Sequence, residues 1–375
     1  MPLCRLCRHE LDEAPRLRYA EMPAVSQHLP ERPERGGVEL RVTECPACGL
    51  VQLANDPVPY YREVIRAAAY SPEMGEFRKR QFAAWVAKYA LAGKRILEPG
   101  CGRGEYLKLL REAAPVEVCG TEYGERSAEA ARAAGLAVET LFFERGDERV
   151  PQAPCDGFFT FNYLEHLPDP TAFLRGVRNN LAPGGYGLVE VPDFAMMLEK
   201  EMFSEFTIDH LAYYTPATLR RMLEINGFEV LDCRSVWHHY IISAEVRRRP
   251  ATDFSGFGAA AERLFAQIAN FCGEAPRGEL AVWGAGHQAF ALLAASRLAE
   301  RFSCILDSAK FKQGRFAPAT RLPIVPPETL DMGEIRRVLI MAGSYSDEIA
   351  ARIRSRYGKR HTLALVREDH LETIP

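Results

Sequence analysis

Between Arg95 and Val191, short apolar runs of strand length alternate with amphipathic stretches of helical period. Ile96–Glu98, Val116–Glu122, Val138–Phe142, Gly157–Asn162 and Tyr186–Val191 read as strands, and Glu105–Ala114, Glu125–Ala134 and Thr171–Leu181 as helices. Such an alternation predicts a parallel sheet with right-handed crossovers and helices on both faces. A helix over Glu73–Ala90 precedes it, with Phe77, Phe82, Trp85, Val86 and Tyr89 on one face, suited to packing on that sheet.

The pattern changes after Val191. A helix over Pro216–Asn226 stops at Gly227, and the strand-like runs Phe228–Val236 and Tyr240–Arg247 follow with only a short connection between them. Strands joined so closely pair antiparallel. Arg247-Arg248-Arg249-Pro250, with Ser255, Gly256 and Gly258 beyond, reads as a linker. A second, smaller alternation comes next: helix Ala259–Cys272, a strand from Leu280, helix Phe290–Leu298, strand Phe302–Asp307, strand Val338–Ala342, helix Ser346–Tyr357 and strand Thr362–Val366. The expected organisation is an α/β chain in three parts, 1–58, 59–248 and 249–375.

Composition narrows the function classes. With 47% apolar and 26% charged residues, a net charge of −3 and a pI near 6.4, the chain has the make-up of a folded protein and no electrostatic footprint for nucleic acid or an anionic membrane. It carries no apolar run long enough to span a bilayer and no charged-then-apolar leader, so a cytoplasmic location is expected, with a small molecule as partner.

Four of the ten cysteines form two knuckles, Cys4-x-x-Cys7 and Cys45-x-x-Cys48, with 37 residues between them. Two pairs of thiolates suit a closed tetrahedral zinc site of structural type; disulfides or inert turns are the alternatives. His9 and His28, between the knuckles, are expected at the surface, since four sulfurs already complete the set. The other six cysteines are scattered in apolar stretches, where a free thiol packs as a small hydrophobe.

Two glycine loops carry the candidate chemistry. The first, Glu98-Pro99-Gly100-Cys101-Gly102-Arg103-Gly104, leaves a strand with an acidic end and enters a helix, so it makes a small-molecule cradle. It fails the dinucleotide fingerprint, because Glu105 stands three residues after Gly102. The second, Gly284-x-Gly286-x-x-Ala289 with Asp307 about 20 residues on, fits that fingerprint better. NAD, in an oxidoreductase, and a nucleotide-sugar diphosphate on the helix N-terminus are both open readings of it. Tyr60, Tyr61 and Tyr70 precede the Glu73 helix; core packing is their default, and Tyr70 is a candidate cover for a cofactor.

The order of these parts resembles the sugar C-methyltransferase family. The resemblance rests on the paired-cysteine module, Glu98-x-Gly-x-Gly-x-Gly, Asn162-Tyr-Leu-Glu-His166-Leu-Pro-Asp, Asp209-His210-Leu-Ala-Tyr213-Tyr214, and the second glycine loop with Asp307-Ser-Ala-Lys310-Phe-Lys312-Gln-Gly314. It implies a class I methyltransferase Rossmann-like sheet between an N-terminal zinc-binding module and a C-terminal Rossmann-like α/β domain. It also implies an S-adenosylmethionine-dependent enzyme that methylates the carbon next to the ketone of a nucleotide-linked keto-deoxysugar.

Carried onto this sequence, the resemblance places the methyl donor over Gly100 and Gly102, with Glu98 and Tyr70 beside it, Glu122 on the ribose hydroxyls and Asn162 near the transferred methyl. His210 is implied as the base that forms the enolate, with Asp209 and His166 as further catalytic candidates. The family's Tyr-His-Glu-His reads Thr207-Ile208-Asp209-His210 here, so O- or N-methylation of a sugar or natural-product acceptor is the alternative. Tyr213 is expected against the substrate. Gly284, Gly286, His287, Asp307 and Lys310 are expected at its nucleotide end, with Lys312 as a further source of positive charge.

Overall fold

The structure is a computed structural model that describes residues 2–12, 14–26, 36–63 and 70–374. His28 lies outside the described residues, and His9 is exposed. The chain forms two compact units, Met1–Pro250 and Ala251–Pro375. Among the described residues no helix is long and apolar enough to cross a membrane.

The first unit opens with three strands, β1 (Leu17–Met22), β2 (Val38–Glu44) and β3 (Val51–Leu53). It continues with α1 (Pro72–Lys88), β4 (Arg95–Pro99), α2 (Glu105–Ala113), β5 (Glu117–Glu122), α3 (Glu125–Ala133), β6 (Ala137–Thr140) and β7 (Cys155–Phe161). Then follow α4 (Pro170–Asn180), β8 (Leu181–Pro192), α5 (Phe194–Glu199), β9 (Ala212–Tyr213), α6 (Pro216–Ile225), β10 (Phe228–Val236) and β11 (Ile241–Arg248).

Seven of these strands form one sheet in the order β10-β11-β8-β7-β4-β5-β6. The five strands from β8 to β6 pair parallel, whereas β11 runs antiparallel to both β8 and β10. A parallel sheet finished by an antiparallel hairpin is the class I methyltransferase sheet that the sequence led one to expect. Helix α1 packs on it as the apolar stripe predicts: Phe82 is fully buried, with its ring 5.0 Å from Phe159 and 5.8 Å from Phe161. Burying a side chain of that size stabilises by about 1.5–3 kcal/mol.

Two connections differ from expectation. Pro183-Gly184-Gly185 lies inside β8, where pairing with β7 shifts register between Cys155 and Gly157, so the turn residues form a bulge within the strand. The second difference is a smaller sheet, β1-β2-β3-β9, whose last strand comes from far along the chain.

The second unit contains α7 (Ser255–Cys272), β12 (Leu280–Trp283), α8 (His287–Ser296), β13 (Cys304–Leu306), β14 (Ile324–Val325), β15 (Arg337–Ile340), α9 (Ser346–Tyr357), β16 (Thr362–Val366) and β17 (Leu371–Ile374). Its sheet order is β14-β13-β12-β15-β16-β17, parallel except for β17. Ser255, Gly256 and Gly258, expected in a linker, form the first turn of α7 instead. The Asp253 carboxylate accepts the Ser255 N–H at 2.8 Å and so satisfies one of the N–H groups that the first turn of a helix leaves without a partner inside it.

Candidate active site

Strands β7, β4 and β5 are neighbours, and their C-terminal ends bring Asn162, Glu98 and Glu122 to one edge of the sheet, the edge where ligands of open α/β sheets bind. Gly100 takes φ +68°, and a Cβ there would stand 2.7 Å from the Tyr163 ring, so a side chain is excluded twice over. The Glu122 carboxylate receives the Gly102 N–H at 2.9 Å and the Gly124 N–H at 2.8 Å, which aims it back at the loop. Asn162 is exposed in the left-handed region at φ +48°, and its N–H is held by the Glu190 carbonyl at 2.9 Å. Glu98 is fully buried. Tyr70 is 37% exposed and stacks on Tyr106, in the first turn of α2, at 6.0 Å.

Beneath these lies a feature that the sequence reading missed. Arg78 is fully buried on the inner face of α1, paired with the equally buried Glu190, which also accepts from Gln81. Its guanidinium sits 4.1 Å over the Phe161 ring. One signal was available, because Arg78 stands four residues before Phe82 and seven before Trp85, on the apolar stripe itself.

The expected catalytic residues meet. His166 ends a short turn, Leu164–His166, that leaves β7, and His210 lies just before β9. Their rings approach edge to face with centroids 4.7 Å apart. His166 Nδ1 lies 2.9 Å from the Asp209 carbonyl, and the Glu165 carbonyl accepts the Leu211 N–H at 2.7 Å, so the two segments are clasped. The Asp209 carboxylate accepts the Tyr60 hydroxyl at 2.7 Å. Burial pushes His166 down to about 4, with the Asp209 carbonyl pulling the other way. Burial and the neighbouring His166 push His210 well below its ordinary value. Burial and Asp209 push Tyr60 up to about 12. Both shifts favour the neutral imidazole.

Tyr213, expected against a substrate, is only 4% exposed, and its hydroxyl holds the Thr207 backbone, accepting the N–H at 3.0 Å and lying 3.3 Å from the carbonyl. Ile208, where the resembling family carries a histidine, is buried in the apolar cluster of Phe194, Phe206 and Tyr213.

At the N-terminus the four thiols come together. Sγ of Cys4 and Cys48 are 3.5 Å apart and those of Cys7 and Cys45 3.6 Å, and all four lie within 4.8 Å of one another. That is too far for a disulfide and close to the roughly 3.8 Å edge of a tetrahedron of sulfurs about 2.3 Å from its centre.

In the second unit, Gly284, Gly286, His287, Asp307 and Lys312 line a cleft of about 460 Å³ with Tyr345 and Arg352. Gly284 has φ +111°, and a Cβ on it would fall 2.4 Å from the Met341 carbonyl. Lys310, expected here, is exposed and outside that lining; Lys312 takes the place, because the turn after Asp307 brings its Nζ to the Ala285 carbonyl at 2.9 Å. Asp307 is committed to the loop, accepting the Ala285 and Ala309 N–H groups at 2.8 Å each and Lys312 Nζ at 3.0 Å. Burial alone would raise its carboxyl, but these donors outweigh burial and hold it below its ordinary value.

Comparison with known proteins adds the family. Residues 74–232 match a family model described as a methyltransferase domain, and residues 242–363 one described as a C-methyltransferase C-terminal domain. A ubiquinone biosynthesis O-methyltransferase of Aeromonas salmonicida is 32% identical over 165 residues, 40% of this chain and 68% of its own. The chain belongs to the S-adenosylmethionine-dependent methyltransferases. Among methyltransferases of this family, C-methyltransferase NovU of Streptomyces niveus is 26% identical over 388 residues, 92% of this chain and 90% of its own. A probable S-adenosylmethionine-dependent methyltransferase of Mycolicibacterium smegmatis is 29% identical over 162 residues, 43% of this chain and 62% of its own.

Proposed function

We propose that the enzyme methylates the carbon adjacent to the ketone of a nucleotide-linked keto-deoxysugar. The observation that carries this reading is the extent of the likeness: the O-methyltransferase shares 40% of the chain, whereas the match to the C-methyltransferase runs through both units, 92% of it. The second unit's cleft, with its glycine approach and with Lys312 and Arg352 in the lining, suits the diphosphate of a nucleotide-linked sugar.

The donor site fits its ligand. Gly100 and Gly102 leave room for the methionine portion, Tyr70 and Glu98 flank it, and Glu122 accepts from a vicinal diol, since each carboxylate oxygen can accept more than one hydrogen bond. When bound, S-adenosylmethionine supplies an electrophilic methyl on a sulfonium. Asn162, on its left-handed turn, marks the acceptor side. We take His210 as the base on the strength of the resemblance and of its place beside His166: a neutral imidazole accepts the proton from the carbon, whose electron pair then bonds to the methyl. Asp209, braced by Tyr60, positions the segment. O- or N-methylation remains the second reading, because Ile208 leaves an apolar residue where the family has a histidine.

The four cysteines are proposed to hold a structural zinc. Metal analysis of the purified chain should give about one tightly held zinc per four-thiolate site; folded, metal-free protein refutes this. For the reaction, mass spectrometry of a nucleotide-sugar pool incubated with methyl-labelled donor identifies the acceptor, and label on oxygen or nitrogen excludes the carbon reading. Replacing His210 with Ala should stop exchange of the substrate's acidic hydrogen with deuterated solvent while donor binding persists.

A further inference from the structure

One side chain links the cysteine knuckle to the segment that carries His210. Arg5 stands between Cys4 and Cys7, half-buried, and its backbone N–H donates to the Gln52 side-chain oxygen at 3.0 Å. Gln52 is fully buried in β3. From there the guanidinium reaches the next residue of the strand, where Nη1 donates to the Leu53 carbonyl at 2.7 Å.

That carbonyl has another natural donor. Strands β3 and β9 pair antiparallel with Gln52 opposite Ala212, so Leu53 stands opposite Leu211. A hydrogen-bonded pair of an antiparallel ladder exchanges two bonds, each N–H going to the other residue's carbonyl. One of the two is made, from the Leu53 N–H to the Leu211 carbonyl at 3.1 Å. The other is replaced: the Leu211 N–H turns to the Glu165 carbonyl at 2.7 Å, and Arg5 fills the Leu53 carbonyl in its stead. Each backbone group keeps a partner, but the partners have been exchanged. We propose that Arg5 is a positioning residue for His210: by occupying the Leu53 carbonyl it leaves the Leu211 N–H to Glu165, and that bond seats His210 beside His166.

The sequence order makes the bond effective. Leu211 follows His210 directly and Glu165 directly precedes His166, so one bond between their backbones draws the two imidazoles to their 4.7 Å contact. A guanidinium wins the Leu53 carbonyl from a neutral amide because charge-assisted hydrogen bonds are roughly twice as strong. Tying the knuckle to the sheet would not require this carbonyl, since the Gln52 oxygen already accepts both the Arg5 backbone N–H and Nη1, the latter at 3.3 Å. The inference rests on the reading of His210 as the base, and Arg5 acts on it only through the backbone of β3.

Arg5→Met removes the donors and keeps most of the side chain's length. The Leu53 carbonyl then recovers the Leu211 N–H, and the imidazoles part. Histidine ring signals of the full chain are followed by nuclear magnetic resonance against pH, with His210 assigned by its loss in His210→Ala. In the wild type, burial and His166 hold the His210 midpoint well below its ordinary value; in Arg5→Met it should rise toward roughly 6.5. Arg5→Lys, which keeps one charged donor for that carbonyl, should restore the low midpoint. Arg18→Gln, which removes a charge from β1 of the same small sheet, should leave it unchanged. Calorimetry with S-adenosylmethionine reports which variants are folded. The proposal is overturned if folded Arg5→Met keeps the wild-type midpoint, if Arg5→Lys fails to restore it, or if Arg18→Gln raises it equally. Should Arg5→Met lose donor binding, amide exchange in the wild type decides: the Leu53 and Leu211 amides are expected to be protected alike, because one clasp closes both, and a Leu211 amide that exchanges faster refutes the clasp. Failure of His210 as the base would appear separately, as solvent exchange of the substrate's acidic hydrogen surviving in His210→Ala while the ring midpoint still follows Arg5.

Discussion

Gly100→Ala and Gly93→Ala form a matched pair that measures how tightly the donor loop is built. Both glycines have left-handed backbones, φ +68° and +73°, so both substitutions carry the cost of an alanine there, about 1–2 kcal/mol. Around Gly93 a new Cβ meets nothing within 4 Å. Around Gly100 it meets three Tyr163 ring carbons at 2.7, 2.9 and 3.1 Å, well inside the roughly 3.5–4.0 Å of favourable carbon contact. Tyr163 is buried and cannot step aside into solvent, so overpacking adds about 1–3 kcal/mol. The totals are about 1–2 kcal/mol for Gly93→Ala and about 2–5 kcal/mol for Gly100→Ala. For a unit of this size each kcal/mol lowers Tm by roughly 2–4 °C. Tyr163 also follows Asn162 directly, so displacing its ring should weaken donor binding in the Gly100 variant alone. Thermal melts and calorimetry with S-adenosylmethionine read both effects. If the two variants melt together and bind donor equally, the loop is not held as described.

Glu122→Gln should weaken donor binding by about tenfold or more, the value of one charge-assisted hydrogen bond, and should also lower melting, because the amide sets a donor against one of the two backbone N–H groups that Glu122 accepts; unaltered affinity would remove Glu122 from the ribose. Arg78→Met leaves Glu190 buried with no cationic partner and should cost about 3–5 kcal/mol by chemical denaturation, whereas adding Glu190→Gln should recover part of that. No recovery in the double variant would show that packing over Phe161, rather than charge, is what was lost. Asp307 is held below its ordinary value, so its contribution is present above the unfolded carboxyl value of about 3.9 and is lost as pH falls through the folded one. Asp307→Asn should therefore melt lower than wild type at pH 7, and the difference should shrink toward pH 3; a constant gap would point to lost geometry instead.

How much of this was legible beforehand follows from the range of each interaction. The large sheet was readable because a strand's period and a helix's period are properties of neighbouring residues, and the closing hairpin because its connection is short. The glycine loops were readable for the same local reason. Strand β9 was not, since two residues, Ala212 and Tyr213, carry no period and become a strand only by pairing with β3. The clasp of Glu165 to Leu211 and the bond of Tyr60 to Asp209 were not legible either, because they are contacts between residues far apart in sequence. Lys310 and Lys312 differ by two positions on an irregular turn, where no periodicity says which one faces inward.

Strand β9 also has a bearing on how the chain is made. The sheet begun by the first fifty or so residues lacks its fourth strand until the ribosome has delivered Tyr213, nearly the whole first unit later. Until then the outer edge of β3 has no strand to pair with, and Cys45 and Cys48, in the connection between β2 and β3, belong to an unfinished sheet. The segment that closes that edge begins two residues after His210. Closing the edge of β3 and placing the candidate catalytic histidine thus fall to one short segment of chain.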